Sequence, residues 1–159
     1  MSMTPQPDIN GLPVLDGHVV EEPVRDQFDV WVGEWDVTGT AGAELEGHNS
    51  VHWVLDGAVL QEDFSGGDDP FAGRSLSVPV TGRGWVQTWV DNTGAYLDFE
   101  GGWLGDRMVL ERAVGGGARQ RMTWHSITAD RIVWDWERRS VDEQPWVLNW
   151  RLAYSRAAR

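Results

Sequence analysis

A series of short, strand-like segments separated by turns constrains the fold more than any other feature of the chain. The turns carry glycine, aspartate or asparagine, as in LDGA, TGRG, DNTGA and VGGGA, and they recur about every ten residues. The segments are Trp35–Thr40, Gly47–Leu55, Val59–Ser65, Arg74–Val80, Gly84–Asp91, Ala95–Glu100, Arg107–Ala113, Gln120–Thr128, Arg131–Ser140 and Pro145–Tyr154. Strands at this spacing with short connections indicate an antiparallel meander.

A meander of about eight to ten strands on 159 residues has to close or fold over, and closure removes the exposed strand edges. The sequence therefore predicts an all-β protein with an antiparallel up-and-down β-barrel. A two-sheet sandwich is the alternative architecture. The barrel domain is expected over residues 27–156. A single short helix is expected near Val24–Trp31, where Phe28 and Trp31 are three residues apart.

The first 26 residues differ from the rest because they are polar and rich in proline. A segment of this kind buries little apolar surface, so we expect a flexible N-terminal arm over residues 1–26. A lid over the mouth of a pocket is a second interpretation of the same segment.

Charge and composition exclude several classes of partner and site. The formal net charge of −12 makes nucleic acid and anionic membranes unfavourable partners. There is no cysteine, which excludes disulfides and thiolate chemistry. No apolar run approaches the roughly 20 residues of a membrane span, and the N-terminus does not resemble a signal peptide. We therefore expect a soluble, cytoplasmic protein.

Alternation of apolar and polar residues assigns the two faces of several strands. In RIVWDWERR, Trp134 and Trp136 share one face and the charged Asp135 and Glu137 share the other, so the tryptophans are expected to point inward. The same rule gives inward positions at Leu60, Glu62, Phe64, Met108, Leu110, Arg112, Gln120, Met122, Trp124, Arg138, Trp146, Leu148, Trp150, Leu152 and Tyr154. For SVHWVL and WVQTWVD either face suits the interior, and both assignments stay open.

The interior expected from this sorting is aromatic. Eleven tryptophans are more than a small barrel needs to fill itself, which favours a cavity over a solid core. The candidate ligand-binding residues are Trp53, Trp85, Trp89, Met122, Trp124, Trp134, Trp136 and Trp150.

A few polar residues are expected inside as well, and they are the candidate catalytic groups: Glu62, Gln87, Arg112 and Arg138. One interpretation is structural, with a glutamate–arginine pair bracing the wall. The other is chemical: a desolvated Glu62 has a raised pKa and acts as an acid or base, while an arginine or glutamine stabilises charge on a carbonyl oxygen. The chain has no P-loop, dinucleotide fingerprint or nucleophile elbow.

The histidines do not form a metal site in the predicted strands. His48 and His52 are four residues apart on one strand face, about 13 Å from each other, which is too far for one metal ion. We expect neither a metal nor a cofactor. Haem held by a lone histidine, His52 or His125, is an alternative.

Gly33-Glu34-Trp35, at the start of the first barrel strand, resembles the G-x-W signature of the calycins, the lipocalin-like barrels. In that superfamily the tryptophan closes one end of the barrel and an arginine of the last strand stacks over it. The resemblance assigns these roles to Trp35 and to Arg151 in NWRLAY, with Arg156 as second choice.

The chain is also similar to a family of uncharacterised bacterial barrel proteins. The resemblance covers most of residues 28–156 through FDVWVGEWDVTG, LDGAVLQEDFSG, WVQTWVDNTGAYLDFEGG and WVLNWRLAYSR. The missing cysteines argue for the intracellular branch of the calycins.

These observations predict a function that uses the interior. The chain is expected to bind a hydrophobic, aromatic or polycyclic small molecule in a tryptophan-lined cavity. A cofactor-independent cyclase or isomerase acting in the same cavity is the first alternative, and a haem-binding barrel is the second. A homodimer joined through outward valines is one option for the assembly.

Overall fold

Ten antiparallel strands form a closed barrel, so the predicted all-β up-and-down architecture is confirmed. The structure is a computed structural model that describes residues 11–40, 45–141 and 144–158. Each barrel strand pairs with the next one in sequence, and the last strand pairs with the first. None of the helices in these residues is long and apolar enough to cross a membrane.

The elements follow one another along the chain in a simple order. A two-stranded hairpin comes first, a 3-10 helix of residues Arg25–Trp31 follows, and the barrel strands β3 to β12 come last. The strands are β1 Val14–Leu15, β2 His18–Val19, β3 Gly33–Thr40, β4 Glu46–Val54, β5 Val59–Ser65, β6 Ala72–Val80, β7 Gly84–Asp91, β8 Tyr96–Trp103, β9 Met108–Gly115, β10 Ala118–His125, β11 Arg131–Arg139 and β12 Val147–Arg156.

The 3-10 helix closes the end of the barrel at which β3 begins, which we call the plugged end. Phe28 and Trp31 of the helix are 0% and 1% exposed. Their two ring centroids are 5.0 Å apart, and each ring lies 5.1 Å from that of Trp124, while Phe28 is also 5.1 Å from Trp85. Trp35 donates a hydrogen bond from Nε1 to the carbonyl oxygen of Trp31 at 2.9 Å. Burial of these large rings is the main stabilising contribution at this end.

An arginine seals the plugged end from outside, and it is Arg156. Its guanidinium carbon lies 3.9 Å from the centroid of the Trp35 ring. The same group donates hydrogen bonds to the carbonyl oxygens of Val30, Val32 and Ala129. A guanidinium over an indole adds a cation–π interaction to this closure.

Arg151, the first choice for this role, lies elsewhere. It is five residues before Arg156, so alternation along β12 places it on the opposite, outward face. There it donates to Asp135 from Nε at 2.7 Å and from Nη2 at 3.0 Å.

The described part of the predicted arm is a packed element. Leu12, Leu15 and Val20 are buried against Val109 on the outer face of the barrel. Asp16 of the hairpin accepts hydrogen bonds from three barrel residues: Arg121, Arg139 and Trp146. Residues 1–10 of the arm lie outside the described residues, so the prediction that the arm forms a lid stays a prediction.

A β-bulge changes the faces at the start of β12. Trp136 lies opposite Trp150 and Glu137 opposite Leu148, so Asn149 is the extra residue. The alternation predicted from the sequence therefore fails for Trp146 and Leu148. Trp146 lies on the outer face, where the guanidinium groups of Arg121 and Arg139 stack on its ring at 4.2 and 4.5 Å.

Candidate functional site

The register of the barrel settles the two faces that the sequence left open. On β4, Val51 is fully buried and Trp53 packs against the core, so these two residues face inward. On β7, Trp85, Gln87 and Trp89 face inward, opposite Gly101, Phe99 and Leu97 of β8. Both strands therefore add tryptophan to the interior.

The structure divides the predicted ligand-binding residues between the two ends of the barrel. Trp85 and Trp124 are 0% and 1% exposed in the plugged end, where they fill space together with the helix. Trp53 also lies there, half-buried beneath the guanidinium of Arg25. Trp89, Met122, Trp136 and Trp150 lie toward the opposite end, which we call the distal end, and Trp134, directly opposite Trp124, lies where the two halves meet. Trp85 and Trp124 have almost no exposed surface, whereas Trp89, Trp134 and Trp136 are half-buried and Trp150 is 50% exposed.

The aromatic surface of the distal half centres on two parallel indoles. The rings of Trp134 and Trp136 are inclined by only 3°, with centroids 6.3 Å apart. Phe99 approaches Trp136 edge-on at 5.9 Å. Both tryptophans are half-buried, and Trp150 on the neighbouring strand is 50% exposed. These three indoles therefore keep part of their apolar surface exposed.

Glu62 lies in the interior wall within a polar cluster. It is 7% exposed, and its carboxylate accepts hydrogen bonds from Asn49 Nδ2 and Ser75 Oγ, each at 2.7 Å. Asn49 Nδ2 also donates to the hydroxyl oxygen of Tyr154 at 3.0 Å. No hydrogen bond or ion pair among the described residues joins Glu62 to an arginine, so the bracing pair considered above is not formed there.

Burial raises the pKa of Glu62 to about 7, although the hydrogen bonds from Ser75 and Asn49 favour the charged form. Burial also raises the pKa of the Tyr154 hydroxyl, and the nearby charge of Glu62 adds to this effect. At neutral pH Tyr154 stays protonated, whereas Glu62 is divided between its acid and its carboxylate. The cluster can therefore give or take a proton inside the barrel.

The other predicted catalytic residues lie in different parts of the wall. Gln87 is buried and donates from Nε2 to Ser77 Oγ at 2.9 Å. Arg112 is half-buried on β9, and Arg138 is exposed at the distal rim on β11. These two arginines lie directly opposite the same residue, Gln120 of β10. The structure thus brings Arg112 and Arg138 together and holds Glu62 apart from them.

A cavity of about 590 Å³ opens in the barrel wall where β8 and β9 separate. Their pairing ends at Glu100 and Glu111, and beyond this point the strands diverge. The cavity is lined by inward-facing Gln87, Phe99 and Arg112 and by outward-facing residues of neighbouring strands. Sequence alternation does not reveal such an opening, because it assigns faces and not register.

A buried ion pair borders the same cavity. Arg119 donates from Nε to Glu111 Oε1 at 2.9 Å, with side chains only 5% and 2% exposed. Burial raises the pKa of Glu111, although the hydrogen bond and charge of Arg119 oppose the shift. Both residues alternate with the inward-facing Arg112 and Gln120, so they lie on the outward face and are nevertheless buried.

The histidines all lie away from the interior. His48 contacts Glu34 at 3.1 Å on the outer face, and His52 lies beside the same carboxylate. His125 contacts Asp135 at 2.9 Å, and His18 is exposed in the hairpin. No group of three or more potential ligands in the described residues could hold a metal ion. The interior therefore offers no histidine to a haem iron.

Comparison with known proteins adds no relative to these observations. No family model matches the chain, and no curated protein matches it. The distal half offers two chemical features together, a flat aromatic surface and a pair of guanidinium groups, while the Glu62 carboxyl group lies apart from them in the interior wall.

Proposed function

We propose that the chain binds a hydrophobic, aromatic or polycyclic small molecule in the distal half of its barrel. The observation that carries the proposal is the parallel pair of Trp134 and Trp136, which faces inward and remains half-buried. At the plugged end Trp31, Trp85 and Trp124 are at most 1% exposed, and Trp53 is half-buried beneath Arg25. Offset or edge-on stacking on exposed indoles suits a flat ligand.

We also infer that the barrel is calycin-like and cytoplasmic. The arrangement of Trp35 under Arg156 supports the first inference, because it matches the closure that the G-x-W resemblance implies. The absence of cysteine supports the second. A closed barrel with one plugged end suits a ligand that enters from the other end.

Quenching of tryptophan fluorescence and native mass spectrometry against a panel of aromatic and polycyclic compounds test the binding proposal. Trp136→Leu removes one ring of the parallel pair, and we expect it to weaken binding about fivefold, since a stacking contact is worth roughly 1 kcal/mol. The matched control is Trp146→Phe, which changes an indole on the outer face and should leave affinity unchanged. Equal losses in the two variants, or no binding by any aromatic compound, would contradict the proposal.

A cofactor-independent cyclase or isomerase is a second candidate, and the pKa of Glu62 near 7 favours it. In its acid form Glu62 can protonate a carbonyl oxygen or an alkene, and in its carboxylate form it can remove a proton. The aromatic wall can hold a flexible substrate in one reactive conformation.

Glu62→Gln separates the enzyme from the binding protein. The amide keeps the size and hydrogen bonds of the acid but cannot transfer a proton. An enzyme should lose roughly 100-fold or more in kcat while keeping its affinity for the ligand. The rate of the wild type should change around pH 7. A parallel loss of affinity and turnover would count against catalysis by Glu62.

A further inference from the structure

Among the described residues, two arginines at the distal end have no carboxylate partner, whereas most other arginines of the chain have one. The chain holds 25 acidic residues against 13 arginines and no lysine, so carboxylates are abundant. On the outer face, Arg74, Arg121 and Arg151 each contact a carboxylate within 3 Å. In the described part of the chain, neither Arg112 nor Arg138 forms an ion pair with a carboxylate.

Neutral amides hold these two guanidinium groups. Arg112 donates from Nη1 to Gln120 Oε1 at 2.6 Å, and Arg138 donates from Nε to Asn149 Oδ1 at 3.1 Å. An amide oxygen orients a guanidinium without neutralising its charge. Each guanidinium has five N–H donors, and these contacts use one of them in each. Both arginines therefore keep their charge and most of their donors.

The two arginines are close to each other because only Gln120 of β10 separates them. Both lie directly opposite Gln120 on the inward face, one on each side of β10. Directly opposed residues in a sheet have Cβ atoms about 5 Å apart, so the two Cβ atoms are roughly 10 Å from each other. Long side chains at this separation can reach a common anion.

Aromatic surface lies immediately below this pair. One step further along β10, Met122 is opposite Trp136, whose ring contacts Phe99 edge-on. Arg112 itself lines the cavity of about 590 Å³ together with Phe99 and Gln87. A positive rim above a flat apolar wall fits a ligand that is charged at one end and aromatic at the other.

We propose that the distal end selects an aromatic organic anion, in which a carboxylate, sulfonate or phosphate group is attached to a flat ring system. The acid group meets Arg112 and Arg138, and the ring system lies against Trp134 and Trp136. Charge-assisted hydrogen bonds from guanidinium are the strongest that such a group can accept. This inference rests on the proposed function, since it specifies the ligand class for the same site.

A matched pair of fluorescent probes tests the charge preference directly. 1-Anilinonaphthalene-8-sulfonate and N-phenyl-1-naphthylamine share one ring system, and only the first carries a sulfonate. We expect the wild type to bind the sulfonate about tenfold more tightly, with a gap that narrows as salt is raised. The double variant Arg112→Met/Arg138→Met should lose this advantage and keep its affinity for the neutral probe. Arg74→Met, on the outer face, is the control and should change neither affinity.

A second variant covers the case in which the double substitution unfolds the barrel. Gln120→Glu places a carboxylate between the two arginines and should lower the affinity for the sulfonate alone. Because these probes also bind partly unfolded proteins, each variant must first show cooperative thermal unfolding. If neither probe binds the wild type, the proposed function fails and the inference fails with it. If the neutral probe binds and the sulfonate binds no more tightly, or both affinities fall together in the variants, only the inference is overturned.

Discussion

Glu62 links the stability of the barrel to pH in an unusual direction for a carboxyl group. Burial raises its pKa from 4.5 in the unfolded chain to about 7 in the folded one. The folded state therefore holds the proton more tightly than the unfolded state does. The resulting stabilisation is complete below about pH 4.5 and is lost as the pH rises through 7, by about 3 kcal/mol in total.

Glu62→Gln should remove this dependence. The amide imitates the protonated acid and donates to Ser75 while accepting from Asn49, so we expect stability near that of the wild type at pH 4.5. At pH 8 the variant should be more stable by roughly 2–3 kcal/mol, because no charge has to be buried. Urea unfolding at several pH values measures the difference. If the free energies of unfolding of the wild type and the variant differ equally at both pH values, the pKa of Glu62 is not raised by folding.

Gly33 lies at a position of the barrel that requires a glycine. Its φ of +133° is a conformation that side chains rarely adopt, and a Cβ atom there would lie 2.2 Å from Arg156 Nη1. The glycine thus gives space to the arginine that covers Trp35. Gly33, Trp35 and Arg156 together close this end of the barrel.

Gly33→Ala should destabilise the barrel by about 2–4 kcal/mol through backbone strain and displacement of Arg156. Gly94→Ala is the matched control, since Gly94 has a φ of +88° with no atom within 4 Å of its added Cβ. It should cost only about 1 kcal/mol, from strain alone. Thermal unfolding of both variants measures the two losses of stability. Equal losses would show that displacement of Arg156 does not contribute to the effect at Gly33.

At the scale of the element, alternation assigned faces correctly wherever one face carries charge. β11 is the clearest case, because Asp135 and Glu137 mark its outer side. The rule left β4 and β7 undecided because valines also stand on their outward faces. It failed at the start of β12 because the bulge at Asn149 adds one residue, and no local sequence signal marks that addition.

The hairpin of β1 and β2 could not be predicted from composition. Its polar, proline-rich sequence indicated a loose arm, but three of its apolar residues, Leu12, Leu15 and Val20, are buried against the barrel. Asp16 adds an anchor that depends on distant barrel residues. Burial raises the pKa of Asp16, but the hydrogen bond from Trp146 and the charges of Arg139 and Arg121 outweigh it and hold the pKa below its usual value. The anchor is therefore present above about pH 4 and is lost as the pH falls through the lowered pKa.

Asp16→Asn should loosen the hairpin without unfolding the barrel. The amide N–H of Val20, which donates to Pro13, and that of Glu21, which donates to Trp103, should exchange with solvent faster. Amides in the pairing of β10 with β11 serve as the internal reference and should keep their protection. Uniform acceleration at all of these sites would mean that Asp16 stabilises the whole molecule and not this element.

For the whole molecule, the sequence predicted the barrel, the polar content of its interior and the aromatic character of its wall. Glu62, Gln87 and Arg112 could be found because each interrupts an apolar face. The division into a packed half and an accessible half could not be found, since it depends on the helix that carries Phe28 and Trp31 into one end. The cavity between β8 and β9 could not be predicted either, because it depends on where the pairing of these two strands ends.

The short pairing of β8 with β9 has a mechanical consequence. These strands stay hydrogen-bonded only from Trp103 opposite Met108 to Glu100 opposite Glu111, whereas β10 and β11 remain paired along almost their whole length. A closed barrel opens most easily between the two strands that share the fewest hydrogen bonds. We therefore expect opening of the wall to be concentrated beside Phe99 and Arg112, so that a ligand larger than the cavity would enter by separating these two strands while the other strand pairs stay intact.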